Sequence, residues 1–499
     1  MRIDRRKFIR QTLAAALGGA SVYSALGNLQ LLQAATRASN YAFTDYKALV
    51  CIFLYGGNDS FNMVVPYTQS AFDGFYSPAT GVRPGLALDR TQLHPLADGS
   101  NSSADGIQYA LHPSMPELAA LFNNSAKAAI IANVGTLVGP VTQNQYQFNN
   151  PSVPEQLFSH SDQSAYWQSS PPSNTPTSGW GGRICDMVAA ANPAAIPIMT
   201  SLSGQDIFIR GESVNGYIMN SNGALTVDYP NDSSGGLKAA FDALRVSGTQ
   251  QHVLERTYAN TLNHSIGAAD IIGAALGASG LPADFGSHFT GGGDLGTQLQ
   301  TVARLIWAAQ TNQPGYSGLT RQVFFVNAGG YDTHSGELGL HVDLFSQLSK
   351  SMAGFYNALN SVSIGGGKTL ASVATTFTAS DFGRTMTSNA GGSDHGWGSH
   401  HLVLGGAVNG GKFYGNGCGF SAQSNFGQVM PSMVNPTSDV YQVSPNLNDS
   451  GDGIGRIIPT TSVDQYAATL AQWFGLSATD IATIFPNLSL LPTSNLLFV

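Results

Sequence analysis

Three runs in this chain are apolar without alternation, and each empties through a tight, glycine-bearing or polar stretch into carboxylates or imidazoles. Residues 48–54 (ALVCIFL) lead through Gly56, Gly57 and Asn58 to Asp59. Residues 323–326 (VFFV) lead through Gly329 and Gly330 to Asp332 and His334. Residues 372–377 (SVATTF) lead to Asp381 and then to a loop carrying Asp394, His395, His400 and His401. A continuous apolar run suits a strand covered on both faces, and open α/β sheets present their sites just past the C-terminal ends of such strands. The pattern predicts an α/β protein with a mostly parallel central sheet flanked by helices, three of its strand tips gathering ligands at one edge. Residues 128–134 read as a further buried strand.

Helical periodicity is clearest over residues 341–359, where Leu344, Leu348, Met352, Phe355 and Leu359 recur at spacings of three or four. Other helices are expected over residues 115–122, 179–187, 237–244, 251–275 and 299–309. A last one, over residues 463–473, would be capped by Thr460, Thr461 or Ser462. Residues 66–106 read as long loops, and SHSDQSAYWQ marks a loop meeting a helix. Residues 200–235 hold short runs broken by Gly and Asn, read as loops or a small antiparallel insertion.

Five of the 22 basic residues, Arg2, Arg5, Arg6, Lys7 and Arg10, fall in the first ten positions. Apolar and small residues follow, ending in a small-residue site near Ala34 and Ala35. This order is that of an export leader, and the arginine pair before Lys7 and Phe8 resembles a twin-arginine signal. Residues 1–35 are therefore read as a twin-arginine signal peptide and residues 36–499 as one domain, delivered by that export machinery to the periplasm or outside the cell. The leader is interrupted by Gly18, Gly19, Ser21, Ser24, Gly27 and Asn28, short of the apolar length a membrane span needs. No transmembrane segment is expected in the mature chain.

Without the first ten residues, 17 basic residues face 29 acidic ones, a net charge of −12. Such a chain is ill suited to neutralise a phosphate backbone, so nucleic acid is excluded as a partner. Charged residues make up only 10% of the chain, against about 25% in ordinary globular proteins, so polar loops carry its solubility. Cys51, Cys185 and Cys418 offer no paired metal-binding spacing, and Cys51 sits inside an apolar run as a core residue.

The chemistry points to a metal. Asp332 and His334, two residues apart, face one side of an extended loop, and three of the chain's 11 histidines fall within residues 395–401. Imidazoles and carboxylates at irregular separations suit a loop-built Zn, Mn or Fe site better than a closed cysteine site. In an extended stretch one of His400 and His401 must face away from the ion. Arg384 is the cation nearest in sequence, suited either to receive a phosphate or sulfate oxygen pair or to neutralise the neighbouring carboxylates.

The leader, LVCIFLYGGNDSFNMVVPY, GWGGRICD, VFFVNAGGYDTHS, TFTASDFGRT, GGSDHGWGSHHLVLGGAVNGGKFYG and IPTTSVDQYAATLAQWFG together resemble the DUF1501 family of exported proteins, within the alkaline-phosphatase-like and sulfatase-like superfamily. The resemblance implies an alkaline-phosphatase-like sheet holding one or two divalent ions, Zn or Mn, at its strand ends. It implies Asp59 as the first-strand metal carboxylate, Asp332 and His334 as the next pair, Asp381 on the later strand, and His400 or His401 as the last imidazole. Where catalytic members carry a histidine after the residue matched by Asp381, this chain has Phe382, and His395 is the candidate to supply that ring. Ser159 is the positional candidate for a hydroxyl nucleophile, with His160 beside it and Ser161 and Thr136 behind it. Two functions follow: a metal-dependent hydrolase of phosphate or sulfate esters acting on a small-molecule or glycan substrate, or a non-catalytic binding or assembly protein of the envelope or the extracellular space that keeps the fold.

Overall fold

The computed structural model describes residues 41–78, 81–100, 102–103, 105–147, 151–172, 176–224, 227, 235–246, 252–282, 284–389, 391–419, 430 and 454–499. The expected leader, residues 1–35, and much of the stretch from 225 to 234 lie outside the described residues.

A nine-stranded sheet forms the centre. Its strands in chain order are β1 (Lys47–Leu54), β2 (Ala128–Gly135), β3 (Met199–Ser201), β4 (Tyr217–Ile218), β5 (Arg321–Ala328), β6 (Ala374–Ser380), β9 (Ser399–Gly405), β10 (Phe413–Tyr414) and β11 (Thr461–Ser462). A separate hairpin pairs β7 (Arg384–Ser388) with β8 (Ser393–His395). The main sheet runs β10-β2-β9-β6-β1-β5-β3-β4, with β11 also pairing β2. Every pairing is parallel except those of β9 with β6 and β2.

The three expected strands therefore lie side by side as β6, β1 and β5, and their burial explains the lack of alternation. All of β1 after Lys47 is buried, as is all of β6. Cys51, Cys185 and Cys418 are free thiols inside the protein. Near residues 200–235, β4 joins the sheet edge parallel to β3, and two isolated antiparallel bridges, Arg210 with Asn215 and Asn220 with Gly223, decorate it. The loops expected over residues 66–106 contain part of a small three-stranded sheet built from Val64–Pro66, His94–Pro95 and Tyr109–Leu111.

Helices flank the sheet, among them α1 (His160–Ser169), α2 (Glu337–Asn360) and α3 (Val463–Phe474). The stripe on α2 buries Leu348, Met352, Phe355 and Leu359 as its spacing predicts, but the helix begins at Glu337, one turn earlier. That extra turn adds Glu337 to the helix, four residues before His341. Ser462 caps α3, its hydroxyl and the Gln465 side chain forming a reciprocal capping box. Among the described residues no helix is long and apolar enough to cross a membrane.

Candidate metal centre

Because β6, β1 and β5 are adjacent and parallel, with Leu54 level with both Ser380 and Ala328, their tips open on one edge. The chain leaves β1 through a passage that admits no side chain. Gly56 has φ +116°, and a Cβ there would stand 2.3 Å from the backbone nitrogen of Asp332. Gly57 has φ +83°, and a Cβ there would meet the Phe382 ring at 2.5 Å. Only glycine fits a backbone of this kind pressed this closely.

Against that passage stand His160, Asp332 and His395, whose donor atoms all lie within 4.8 Å of one another. Asp332 Oδ1 is 3.5 Å from His160 Nε2 and 3.4 Å from His395 Nε2. His334 Nε2 joins at 3.1 Å from Asp332 Oδ1 and 2.9 Å from His395 Nε2. For bonds of the length zinc makes to nitrogen and oxygen, neighbouring ligands of a tetrahedral ion sit about 3.3 Å apart. The pairs around Asp332 match that separation.

The far side of each ring is pinned. His160 Nδ1 meets Asp381 Oδ2 at 2.6 Å, His334 Nδ1 meets Asp394 Oδ1 at 3.1 Å, and His395 Nδ1 meets the Phe158 carbonyl at 2.7 Å. A carbonyl or carboxylate oxygen accepts, so Nδ1 carries the hydrogen in each neutral ring and Nε2 is left as a lone pair. His160 Nε2 is buried with no hydrogen-bond donor facing it. Lone pairs facing one another and the Asp332 carboxylate call for a cation, and ligating histidines are ordinarily held by such a carboxylate or carbonyl on the other nitrogen. The residues fit a divalent ion.

Local structure explains how they arrive. Phe158 has φ +71°, a left-handed backbone that a bulky residue rarely adopts. The twist precedes Ser159, the residue before α1, so Phe158 offers its carbonyl to His395 while the next turn carries His160. Asp381 also accepts from Gly56 N at 3.1 Å, tying the tips of β6 and β1 together.

The electrostatics favour an ionised Asp332 carboxylate. Burial works against the charge of Asp332, but the hydrogen bond and charge of Arg384 outweigh it and hold Asp332 below the usual carboxylate range. The hydrogen bond that His160 Nδ1 donates to Asp381 raises His160, whereas burial lowers His395. Half of the Asp332 and His334 side-chain surface remains open to solvent, so a ligand has a way in.

Several expected residues take other places. Asp381 orients His160 instead of joining the donor set. His160, expected beside the nucleophile, stands among the donors. Asp59 is fully buried in an ion pair with Arg83, 2.7 Å from Oδ2, and groups with Glu337 and His341 instead of with the rim residues. His400 and His401 lie on β9, fully buried, and are corrected as ligands of the rim. The first has its Nδ1 against Asn133 N and its ring edge-on to Phe61. The second lies against Trp167 and Tyr466. Arg384 is also buried and uses its donors on Asp332 Oδ1, the Ser393 carbonyl and hydroxyl, and the Gly56 carbonyl. Its part is to set Asp332 and the β7–β8 hairpin, and it presents no fork to an ester. Ser159 stands just before α1, its hydroxyl donating to Asp162 Oδ2 at 2.5 Å. The residues that local sequence pattern does not reveal are Arg83, Glu337 and His341. The polar Glu337 and His341, four apart beside an apolar stripe, were the available signal for two of them.

No curated protein matches the chain. The family model described as "Protein of unknown function (DUF1501)" matches residues 46–434, a span that takes in β1, β5, β6 and all the rim residues, and the chain belongs to that family.

Proposed function

We propose that the chain is an exported, metal-dependent hydrolase of phosphate or sulfate esters on an alkaline-phosphatase-like fold, with His160, Asp332 and His395 holding a Zn or Mn ion and His334 at its edge. The observation that supports this is the meeting of pinned imidazole nitrogens around Asp332 Oδ1 at 3.1 to 3.5 Å. Three protein donors leave a position open, as catalytic metal sites do. A bound divalent ion supplies Lewis-acid polarisation of an ester oxygen and neutralises charge developing on it.

The chain's own groups do the remaining work. Arg384 keeps Asp332 ionised and fixed, and Asp381 and the Phe158 carbonyl hold two rings in one tautomer, so the donor set needs no rearrangement when a ligand arrives. Ser159 stands at the N-terminus of α1, where backbone N–H groups favour an anionic substrate. Its hydroxyl hydrogen already points to Asp162, a carboxylate placed to take the proton as Oγ attacks the phosphorus or sulfur. The departing oxygen takes its proton from solvent water, which reaches the half-exposed side chains of Asp332 and His334.

The test is hydrolysis of p-nitrophenyl phosphate and p-nitrophenyl sulfate by protein loaded with Zn or Mn. Turnover that falls at least a hundredfold in both Asp332→Ala and Ser159→Ala supports the hydrolase. A metal-loaded protein that releases no nitrophenol above the buffer rate overturns it.

A second reading, a binding or assembly protein keeping a metal but no turnover, is favoured by Phe382. Its buried ring packs 4.8 Å from His160 and 4.7 Å from His395, in the position where the resemblance calls for another imidazole. Retained metal without turnover in the same assay selects it. Delivery through the twin-arginine route belongs to the same proposal. Retention of an Arg5→Lys, Arg6→Lys precursor in the cytoplasm would support it, and normal export of that variant would count against it.

A further inference from the structure

A second group of ligating side chains lies apart from the rim set. Asp59, Glu337 and His341 are each fully buried, and their donor atoms fall within 4.8 Å of one another. Asp59 comes from the tip of β1. Glu337 and His341 are four residues apart in the first turns of α2 and so share a face of it.

Their partners are unevenly distributed. Asp59 Oδ2 is paired with Arg83 Nη1 at 2.7 Å, and Oδ1 accepts from Phe61 N at 3.2 Å. Arg83 is spent elsewhere too, on the carbonyls of Met386 and Thr385 and on Asn62 Oδ1. Glu337 Oε2 accepts from Ser393 Oγ at 2.6 Å. Glu337 also meets the Asp59 carboxyl group, a contact that takes a shared proton, whereas both nitrogens of His341 are buried without a protein hydrogen-bond partner, Nε2 standing 3.9 Å from Glu337 Oε1. With both carboxyl groups ionised, the one guanidinium would leave the group a positive charge short.

A buried carboxylate in this state must gain a proton or a cation. A proton on Glu337 would restore the charge but leave His341 unpaired at both nitrogens. A cation between Oε1 and Nε2 answers both needs at once. We propose that Asp59, Glu337 and His341 form a second divalent-cation site, separate from the rim, with a donor set of two carboxylates and one imidazole suited to Mn or Zn. Ser393 links the two places, since its hydroxyl holds Glu337 and its carbonyl holds the Arg384 that sets Asp332.

The proposal does not require the rim to bind metal, and the experiment separates the two. The full chain is stripped with a chelator, dialysed against Mn or Zn, and its metal per chain counted by mass spectrometry beside Glu337→Gln, His341→Leu and a His160→Ala, His395→Ala rim variant. The expected result is that Glu337→Gln and His341→Leu each hold one ion fewer than the parent, whereas the rim variant keeps one. If the rim binds nothing, the parent holds one ion and Glu337→Gln none, which still supports the buried site. If Glu337→Gln matches the parent, or the rim variant holds no ion, the buried site is refuted. Should the two buried-site variants fail to fold, the rim variant decides alone. It carries Asp59, Glu337 and His341 unchanged, and added Mn or Zn must both bind and raise its melting temperature.

Discussion

Asp381 and His160, 221 positions apart in the chain, meet through a hydrogen bond of 2.6 Å that fixes which imidazole nitrogen faces the rim. The carboxylate therefore acts through the ring. Asp381→Asn keeps the shape and removes the charge, and removing such a partner weakens metal binding by about 10–100-fold. Competition with a chromophoric chelator measures this, and an unchanged affinity would show that His160 is not a ligand.

The glycine passage makes a sharper structural demand. A Cβ at Gly56 stands 2.3 Å from the Asp332 backbone, so Gly56→Ala must push the two loops apart. Gly99, which has open space where its Cβ would be, is the control. Gly56→Ala should lose rim metal while Gly99→Ala binds as the parent does, read by metal content per chain.

Arg83 and Asp59 form an ion pair with both side chains fully buried. Removing one partner of such a pair strands the other charge, at a cost of about 3–5 kcal/mol. Arg83→Met should lower urea stability by that amount in metal-free protein. A loss under about 1 kcal/mol would place Asp59 in contact with water or with another cation.

Acid should unfold this protein through buried histidines that are not among the rim donors. Burial pushes His112, His400 and His401 down to about 3 from 6.5. In the folded state they stay neutral where the unfolded chain takes up protons. Stability is therefore complete above about pH 6.5 and is lost as pH falls toward 3, by about 1.4 kcal/mol per pH unit for each histidine. Urea midpoints from pH 8 to pH 4 should show this fall, and His401→Gln should reduce the slope by one proton. An unchanged slope in that variant contradicts the assignment of His401.

What was legible in the sequence was whatever depends on neighbours in the chain. The runs at 48–54, 323–326 and 128–134 are strands because continuous apolar residues need cover on both faces, and the stripe from Leu344 to Leu359 is a helix for the same reason. Asp332 and His334 share the rim, but tight turns and not an extended loop bring them there, Thr333 N bonding the Tyr331 carbonyl and His334 N the Asp332 carbonyl. His400 and His401 were misplaced because the Gly- and Ser-rich residues before them suggested a loop. The strand beginning at Ser399 instead carries the two rings inward, into contacts with Phe61, Trp167 and Tyr466. The roles of Asp381 and Arg384 depend on partners up to 328 positions away, and no local pattern encodes those. Arg83 has no signal of its own in a Gly- and Pro-bearing loop, yet it decides the fate of Asp59.

The most direct test of the rim centre is X-ray absorption spectroscopy of a Glu337→Gln parent, in which the buried group is disabled, loaded with one equivalent of Zn, beside the same protein with His160→Ala and His395→Ala. The predicted result is an ion bound by imidazole nitrogens and carboxylate oxygen at about 2.0–2.2 Å, with the imidazole scattering sharply reduced in the variant. An ion held identically by parent and variant, or no ion held by the parent at all, would contradict a metal centre at His160, Asp332 and His395.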